Sequence, residues 1–230
     1  MAMIGEPINL TVRKTFDRPP LEDIALFRNF STGFVVDAQN GTGGLDHRIK
    51  PLDNNMCFIG PAITVETAPR DYLPVQPAIA LSKPGDVLVI ATSNYEGAAV
   101  IGDNVAAMAK NSNLAAIITD GLVRDVEGIL EIDIPVFCVG ISPNSPYANG
   151  PGTVGLPISM SGRVIESGDI IIGDINGVVT IPRIAAHEIA AQLAAVKELE
   201  KDLESKVRSG LRYASWVDDY LASSSTRFVD

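Results

Sequence analysis

The stretch Pro84-Gly85-Asp86-Val87-Leu88-Val89-Ile90-Ala91-Thr92-Ser93-Asn94 decides the fold. A strand with one wet face alternates apolar and polar residues, whereas Val87 to Ala91 is apolar without interruption between a Gly-Asp turn and a polar triplet. Such a run suits a strand covered on both faces. Leu114 to Thr119 and Pro135 to Val139 are further runs of this kind, and Asn104 to Lys110 and Val126 to Leu130 between them read as helices. Strand and helix in alternation predict an α/β fold, with ligands gathered beyond the carboxyl ends of the strands.

Toward the N-terminus, Ala78 to Ser82 gives a short helix closed by Pro84-Gly85, and Phe58 to Thr67 reads as a strand with Ile63 and Val65 alternating against Thr64 and Glu66. Gln39 to Gly44 is a glycine-rich turn and Leu21 to Phe30 a short amphipathic helix. Ser31-Thr32 opens a segment reaching Asp37, whose carboxylate is expected to orient local backbone. Met1 to Pro20 shows no period and is expected to be an arm that packs on the body or on a neighbour. Toward the C-terminus, Ser142 to Gly155 is rich in Pro and Gly and is either a mobile lid or a long turn. Pro157 to Ile165 reads as a hairpin turning at Ser161-Gly162, and Gly168 to Asp174 and Gly177 to Pro182 supply two more strands. The Gly-Asp pairs at Asp86, Asp169 and Asp174 read as turns.

Ala185 to Arg208 is the one long helix, with an apolar stripe of Ile189, Leu193, Val196, Leu203 and Val207 interrupted by Glu200. A carboxylate in such a stripe either finds a buried partner or leans into solvent beside Lys197 and Glu204. The tail from Arg212 carries Tyr213, Trp216, Tyr220, Leu221 and Phe228, and is expected to dock on its own body or on another protomer. The resulting organisation is an arm with a short helix over 1–30, a main domain over 31–210 and an aromatic docking tail over 211–230.

The 230 residues are 46% hydrophobic, enough for one well-buried core. A formal charge of −10 with no basic run argues against a nucleic-acid partner. No apolar window approaches a membrane span and Met1 to Pro20 holds no apolar leader core, so no membrane partner and a cytoplasmic location are expected. Cys57 and Cys138 each sit in an apolar run and are expected to be buried, reduced thiols. His47 and His187 lie near no nucleophile or zinc spacing, and no Gly-x-Gly-x-x-Gly loop is present, so triad chemistry, zinc and a dinucleotide are disfavoured.

The candidate chemistry lies in Ile101-Gly102-Asp103-Asn104-Val105-Ala106 and Asp120-Gly121-Leu122-Val123-Arg124-Asp125, with twenty residues between Asp103 and Arg124. Two carboxylates with one guanidinium could hold a hard divalent cation on Asp125 and Asp103 and a substrate carboxylate on Arg124. The amides around Asn104, Val105 and Ala106, at a helix start, could receive an anion. From the spacing alone the plainer reading, a helix-start aspartate and a surface ion pair, is preferred. Glu127 reads as a solvated carboxylate and receives no role.

The Asp-x20-Arg-Asp spacing with Gly102 before it resembles the class II 4-hydroxy-4-methyl-2-oxoglutarate / 4-carboxy-4-hydroxy-2-oxoadipate aldolases, whose relatives include RraA-like regulators of ribonuclease E. Ile59-Gly60-Pro61-Ala62-Ile63-Thr64-Val65, Pro84 to Val89, Asp120 to Asp125 and Gly173 to Val179 follow in the family's order, and the resemblance runs from about Ser31 to Gly210. Val36 departs from it, since those aldolases usually carry Ser before the residue matching Asp37. The resemblance implies an RraA-like swivelling β/β/α domain with a long C-terminal helix, assembled as a homotrimer or hexamer. It also implies a lyase that cleaves a 4-hydroxy-2-oxo dicarboxylic acid to pyruvate and a second oxo acid, with oxaloacetate decarboxylation as a side activity. Mg2+ or Mn2+ would be held by Asp125 and through water by Asp103, with Glu200 of a neighbouring subunit also acting through water. Arg124 and Asp103 would be catalytic, and Gly102, Asn104, Val105, Ala106 and Arg124 would bind substrate. The alternative is a non-catalytic regulator of a ribonuclease; those relatives tend to carry Gly where Asp103 stands, which favours the enzyme.

Overall fold

The computed structural model describes residues 8–229. In chain order the elements are β1 (Leu10–Val12), α1 (Leu21–Ala25), α2 (Thr32–Ala38), β2 (Lys50–Pro51), β3 (Phe58–Thr67), α3 (Val75–Leu81), β4 (Val87–Ala91), β5 (Ala99–Ile101) and α4 (Asp103–Asn111). There follow β6 (Ala116–Thr119), β7 (Leu122–Val123), α5 (Val126–Ile132), β8 (Val136–Cys138), β9 (Gly140–Ile141), β10 (Gly152–Val154) and the hairpin β11 (Ile158–Met160) with β12 (Arg163–Ile165). The chain closes with β13 (Ile170–Asp174), β14 (Gly177–Ile181), α6 (Ala186–Arg208) and α7 (Trp216–Ala222).

The main sheet runs β1-β10-β3-β4-β6-β8-β2, and β13 joins it on β3 with β14 beyond. β3, β4, β6 and β8 are parallel. β3 is long enough to serve two neighbours on one edge, with Phe58 to Pro61 pairing with β13 and Val65 to Thr67 with β10, while Ala62 to Glu66 pair with β4 on the other edge. β4 is buried throughout, as its composition predicts. Its successive side chains alternate between two cores: Leu88 and Ile90 join Ile63, Ile117 and the helices α3 to α5, while Val87 and Val89 join Ile118, Phe137 and the β11 hairpin. A third core packs α1, α2 and the first half of α6 on β13 and β14, through Phe27, Val35, Ile172, Ile181 and Leu193. This α/β arrangement with one long C-terminal helix is the expected swivelling fold. No helix among the described residues is long and apolar enough to cross a membrane.

The three turn aspartates are tied down by hydrogen bonds. Asp86 is buried against Arg18, which donates through Nε and Nη2 at 2.8 and 2.7 Å. Asp169 accepts the amides of Glu166 and Arg183. Asp174 accepts the Thr32 amide at 2.9 Å and the Thr32 hydroxyl at 2.8 Å, so it fixes the start of α2. That was the duty expected of Asp37, which instead is exposed and makes no side-chain hydrogen bond among the described residues.

Other local readings are corrected by partners distant in sequence. Thr64 is fully buried and does not alternate with Ile63, because its hydroxyl meets Leu156 O and Ser167 Oγ, each at 2.6 Å. Cys57 is exposed, since it lies just ahead of β3, whereas Cys138 is buried and its thiol is pushed up to about 11 by that burial. The arm packs on the body, with β1 parallel to β10. The tail does not dock on its own body: Trp216 and Tyr220 meet each other edge to face at 6.1 Å and remain 63% and 57% exposed. Met1 to Pro7 lie outside the described residues.

Candidate active site

β6 and β8 of the main sheet lead almost directly into β7 and β9, and β4 leads through the segment 92–98 into β5, forming a small parallel sheet in the order β5-β7-β9. Asp120 builds the corner between the two sheets. Its buried carboxylate accepts the Thr92 amide at 2.6 Å, the Thr92 hydroxyl at 2.9 Å and the Asn94 amide at 3.0 Å. A buried carboxylate with this many donors is a fixed strut. The candidate residues therefore stand beyond the carboxyl ends of β5 and β7, in the second sheet.

Arg124 N–H donates to Ile101 O at 3.1 Å, which sets Gly102 alongside Arg124 and Asp125. Gly102 has an extended backbone, φ −134 and ψ −166, open to any residue, so its lack of a side chain matters only for space. A Cβ there would lie 2.5 Å from Asp125 Oδ2 and 3.1 Å from Arg124 Cγ. Asp125 itself is left-handed, with φ 56 and ψ 45, a strained state for a residue with a Cβ that turns its carboxylate back toward Arg124 Nε at 3.2 Å. It occupies the N-cap of α5 without forming the side-chain cap bond that aspartate ordinarily makes there, so its carboxylate is not spent on the helix.

Asp103 opens α4 with Gly102 as N-cap, and its Oδ1 accepts from the Asn104 amide and side chain at 2.6 and 3.1 Å. Its Oδ2 lies against α5, where a Cβ on Gly128 would meet it at 3.0 Å. The structure thus brings Gly102, Asp103, Arg124 and Asp125 to one place. The expectation that Asn104 and Ala106 offer amides is corrected: the Asn104 N–H is taken by Asp103 Oδ1, and the Ala106 N–H donates to Gly102 O at 3.1 Å, because the fourth amide of a helix is the first to find a carbonyl. The Val105 amide has no partner among the described residues.

These residues border a cleft of about 290 Å³, lined on one side by Gly102, Asp103, Val105 and Arg124 and closed by Tyr72, Gln76, Met108, Ser145 and Pro146. Asp125 stands just behind this lining. Ser145 went unrecognised in the sequence: its hydroxyl accepts from Arg124 Nη1 at 2.8 Å. Together with the Asp125 contact, this leaves Arg124 Nη2 without a partner among the described residues. The loop that carries Ser145 is a pinned turn. Asp71 accepts the Asn149 and Gly150 amides at 2.6 and 3.0 Å, Tyr147 and Tyr72 exchange backbone bonds with the 70–72 segment and the loop, and Asn144 Nδ2 donates to Gly97 O.

Among the described residues no three or more His, Cys, Asp or Glu side chains gather as a metal-binding group. One chain contributes Asp103 and Asp125 here. Glu200 is exposed on the second half of α6 and lies outside the cleft of its own chain, and Glu127 is exposed. His187 pairs with Asp23 at 3.1 Å, outside the cleft lining.

Residues 32–180 match the family described as RraA-like, aldolase/RraA. A candidate 4-hydroxy-4-methyl-2-oxoglutarate aldolase of Halalkalibacterium halodurans is 35% identical over 189 residues, covering 82% of this chain and 89% of that one. Among solved structures, an uncharacterized protein from Pseudomonas syringae pv. tomato aligns with a TM-score of 0.74 at 24% identity, covering 85% of this chain and 96% of the other. Streptomyces coelicolor RraAS2, described as an unusual member of the RNase ES inhibitor RraA family, aligns with a TM-score of 0.71 at 23% identity, covering 83% and 100%. Both likenesses speak for the fold. A match over most of the chain, and a relative this similar over nearly its whole length, place the chain in the RraA-like (aldolase/RraA) family.

Proposed function

We propose that the chain is a divalent-metal-dependent lyase that cleaves a 4-hydroxy-2-oxo dicarboxylic acid to pyruvate and a second oxo acid by retro-aldol chemistry, and decarboxylates oxaloacetate at the same site. The observation that carries the reading is the meeting of Gly102, Asp103 and Arg124 in the lining of one cleft with Asp125 against them, and a glycine where any side chain would strike the Asp125 carboxylate.

The donor set fits a hard cation. Asp125 makes no cap bond and Asp103 keeps Oδ2 clear of hydrogen bonds among the described residues, so carboxylate oxygens are available, and oxygen donors suit Mg2+ or Mn2+. Asp125 would hold the ion directly and Asp103 through water, and the ion would supply Lewis-acid polarisation of the substrate's 2-oxo group. The Val105 amide and the polar residue Asn104, at the positive end of α4, bind the adjacent C1 carboxylate. Arg124 presents its open Nη2 edge to the 2-oxo oxygen. As the C4 hydroxyl loses its proton, C4–O becomes a carbonyl, the C3–C4 bond breaks and its electron pair moves to the C2 oxygen. Negative charge therefore grows where the Arg124 donor is already fixed by Ser145 and Asp125. A proton added at C3 completes pyruvate. Loss of CO2 from oxaloacetate leaves the same pyruvate enolate, so one set of groups serves both substrates. The cleft lining holds no histidine or lysine, so protons pass to and from solvent water.

The site is completed between copies of the chain in this proposal. Leu203 and Val207, beyond Glu200 on α6, stay 47% and 53% exposed in the single chain, which supports a neighbouring copy on that helix face and a trimeric or hexameric assembly. The test is the loss of pyruvate methyl protons to deuterium oxide, followed by NMR with enzyme and Mg2+. Exchange that depends on the ion supports the reading. A methyl signal unchanged over hours overturns it in favour of a protein-binding regulator on this fold.

A further inference from the structure

Arg70 stands beside the cleft in a posture that the chemistry above does not use. Its backbone is left-handed, φ 59, which residues with a Cβ rarely adopt, and Tyr147 N–H holds it there by donating to its carbonyl at 2.7 Å. Its guanidinium lies over the Tyr147 ring, 4.6 Å from the centroid, and its Nε donates to Ser145 O at 3.3 Å. Those two contacts straddle Pro146, and Ser145, Pro146 and Tyr72 all line the cleft. Ser145 is therefore gripped by two arginines, Arg70 at its carbonyl and Arg124 at its hydroxyl. Neither contact of Arg70 uses its terminal nitrogens, and it pairs with no carboxylate among the described residues. Away from Asp103 and Arg124 the lining, which includes Gln76, Val105 and Met108, is uncharged.

We infer that Arg70 is the specificity-determining residue of this cleft, receiving the substrate's second carboxylate on its terminal nitrogens while Arg124 faces the 2-oxo head. The inference rests on the proposed reading of the site. A planar fork matches a carboxylate, and a guanidinium already stacked and hydrogen-bonded loses little freedom on binding one. The uncharged wall then surrounds the substituents on C4.

The test compares wild type, Arg70→Gln and Arg70→Lys on three reactions with Mg2+: cleavage of 4-hydroxy-4-methyl-2-oxoglutarate, cleavage of the monocarboxylate 4-hydroxy-2-oxopentanoate, and methyl exchange of pyruvate. Arg70→Gln is expected to raise KM for the dicarboxylate by roughly tenfold, the lower end of what a charged hydrogen bond contributes since Arg70 is exposed. Its kcat, the monocarboxylate KM and the pyruvate exchange should stay within about twofold of wild type, with Arg70→Lys between the two on the dicarboxylate alone. Equal losses on all three reactions would show that Arg70 merely holds Ser145, and no loss on any would show that it binds nothing; either result overturns the inference. A wild type that does not prefer the dicarboxylate overturns it as well. Absence of pyruvate exchange in wild type is the separate outcome that removes the lyase reading and this inference with it.

Discussion

Gly102→Ala separates the site from the fold. The backbone at Gly102 is extended and accepts alanine without strain, and the loss of freedom in the unfolded chain favours alanine by roughly 0.4–1 kcal/mol. Against this, the new methyl would sit 2.5 Å from Asp125 Oδ2 and 3.2 Å from Arg124 Nε. Ordinary contact needs about 3.5 Å, so the pair must retreat by about 1 Å. Both side chains have solvent to retreat into, being 43% and 38% exposed, so the clash relaxes cheaply. The expected net change in unfolding free energy is within about 1 kcal/mol of zero, because the two effects oppose each other. The site has no such tolerance, and a displacement of about 1 Å at positioned groups costs on the order of a hundredfold in rate. Urea unfolding gives the first quantity and ion-dependent pyruvate exchange the second. Exchange within about threefold of wild type, at unchanged stability, would refute the claim that glycine is needed to seat Asp125, on the same scale of argument.

Arg124→Lys keeps the charge but loses the fork shared between Asp125 and Ser145, and turnover is expected to fall by roughly a hundredfold, read by steady-state kinetics. Asp125→Ala should abolish ion-dependent activity while Asp103→Ala costs less, with Mn2+ titration of both variants as the check. Inactive Asp125→Ala and Glu200→Ala protomers, unfolded and reassembled together, should regain part of the activity; a dead mixture, when wild type revives through the same cycle, removes the shared site. A thiol reagent at pH 8 should find one accessible cysteine per native chain, Cys57, and two after denaturation. The folded chain keeps the Cys138 proton up to about pH 11 while the unfolded thiol loses it near 9.0, so stability should fall as pH rises through that window.

Where local pattern decides, the sequence was readable. β4 and β3 fall where their apolar runs place them, and Ser161 and Gly162, both at positive φ, turn the hairpin that their composition calls for. β5, β7 and β9 were hidden because strands of two or three residues carry no period, so Leu122-Val123 read as part of a motif when it is a strand of a second sheet. Asp120 belonged to the same motif, yet its duty is set by Thr92 and Asn94 from another strand's end. Ser145 and Arg70 gain meaning only through partners tens of residues away. Met56-Cys57-Phe58 is apolar throughout, yet Phe58 enters the core and Met56 packs against it while Cys57 between them is exposed. The stripe on α6 is buried at Ile189 and Leu193, but Leu203 and Val207 remain about half exposed in the single chain.

The passage of three strands from one sheet into the next also fixes how the site can come apart. β5, β7 and β9 follow β4, β6 and β8 with Asp120 clamping the corner, so Gly102, Asp103, Arg124 and Asp125 stand at the ends of strands that continue from the most buried ones of the molecule. A pocket made of surface loops can open by itself many times a second, but this one shares its cooperative unit with the core. Amide hydrogens of Ile101 and Val123 should therefore exchange with solvent as slowly as those of Ile90 and Ile118, through global unfolding. Heat or denaturant would then part Gly102 and Asp103 from Arg124 and Asp125 only as the fold itself is lost.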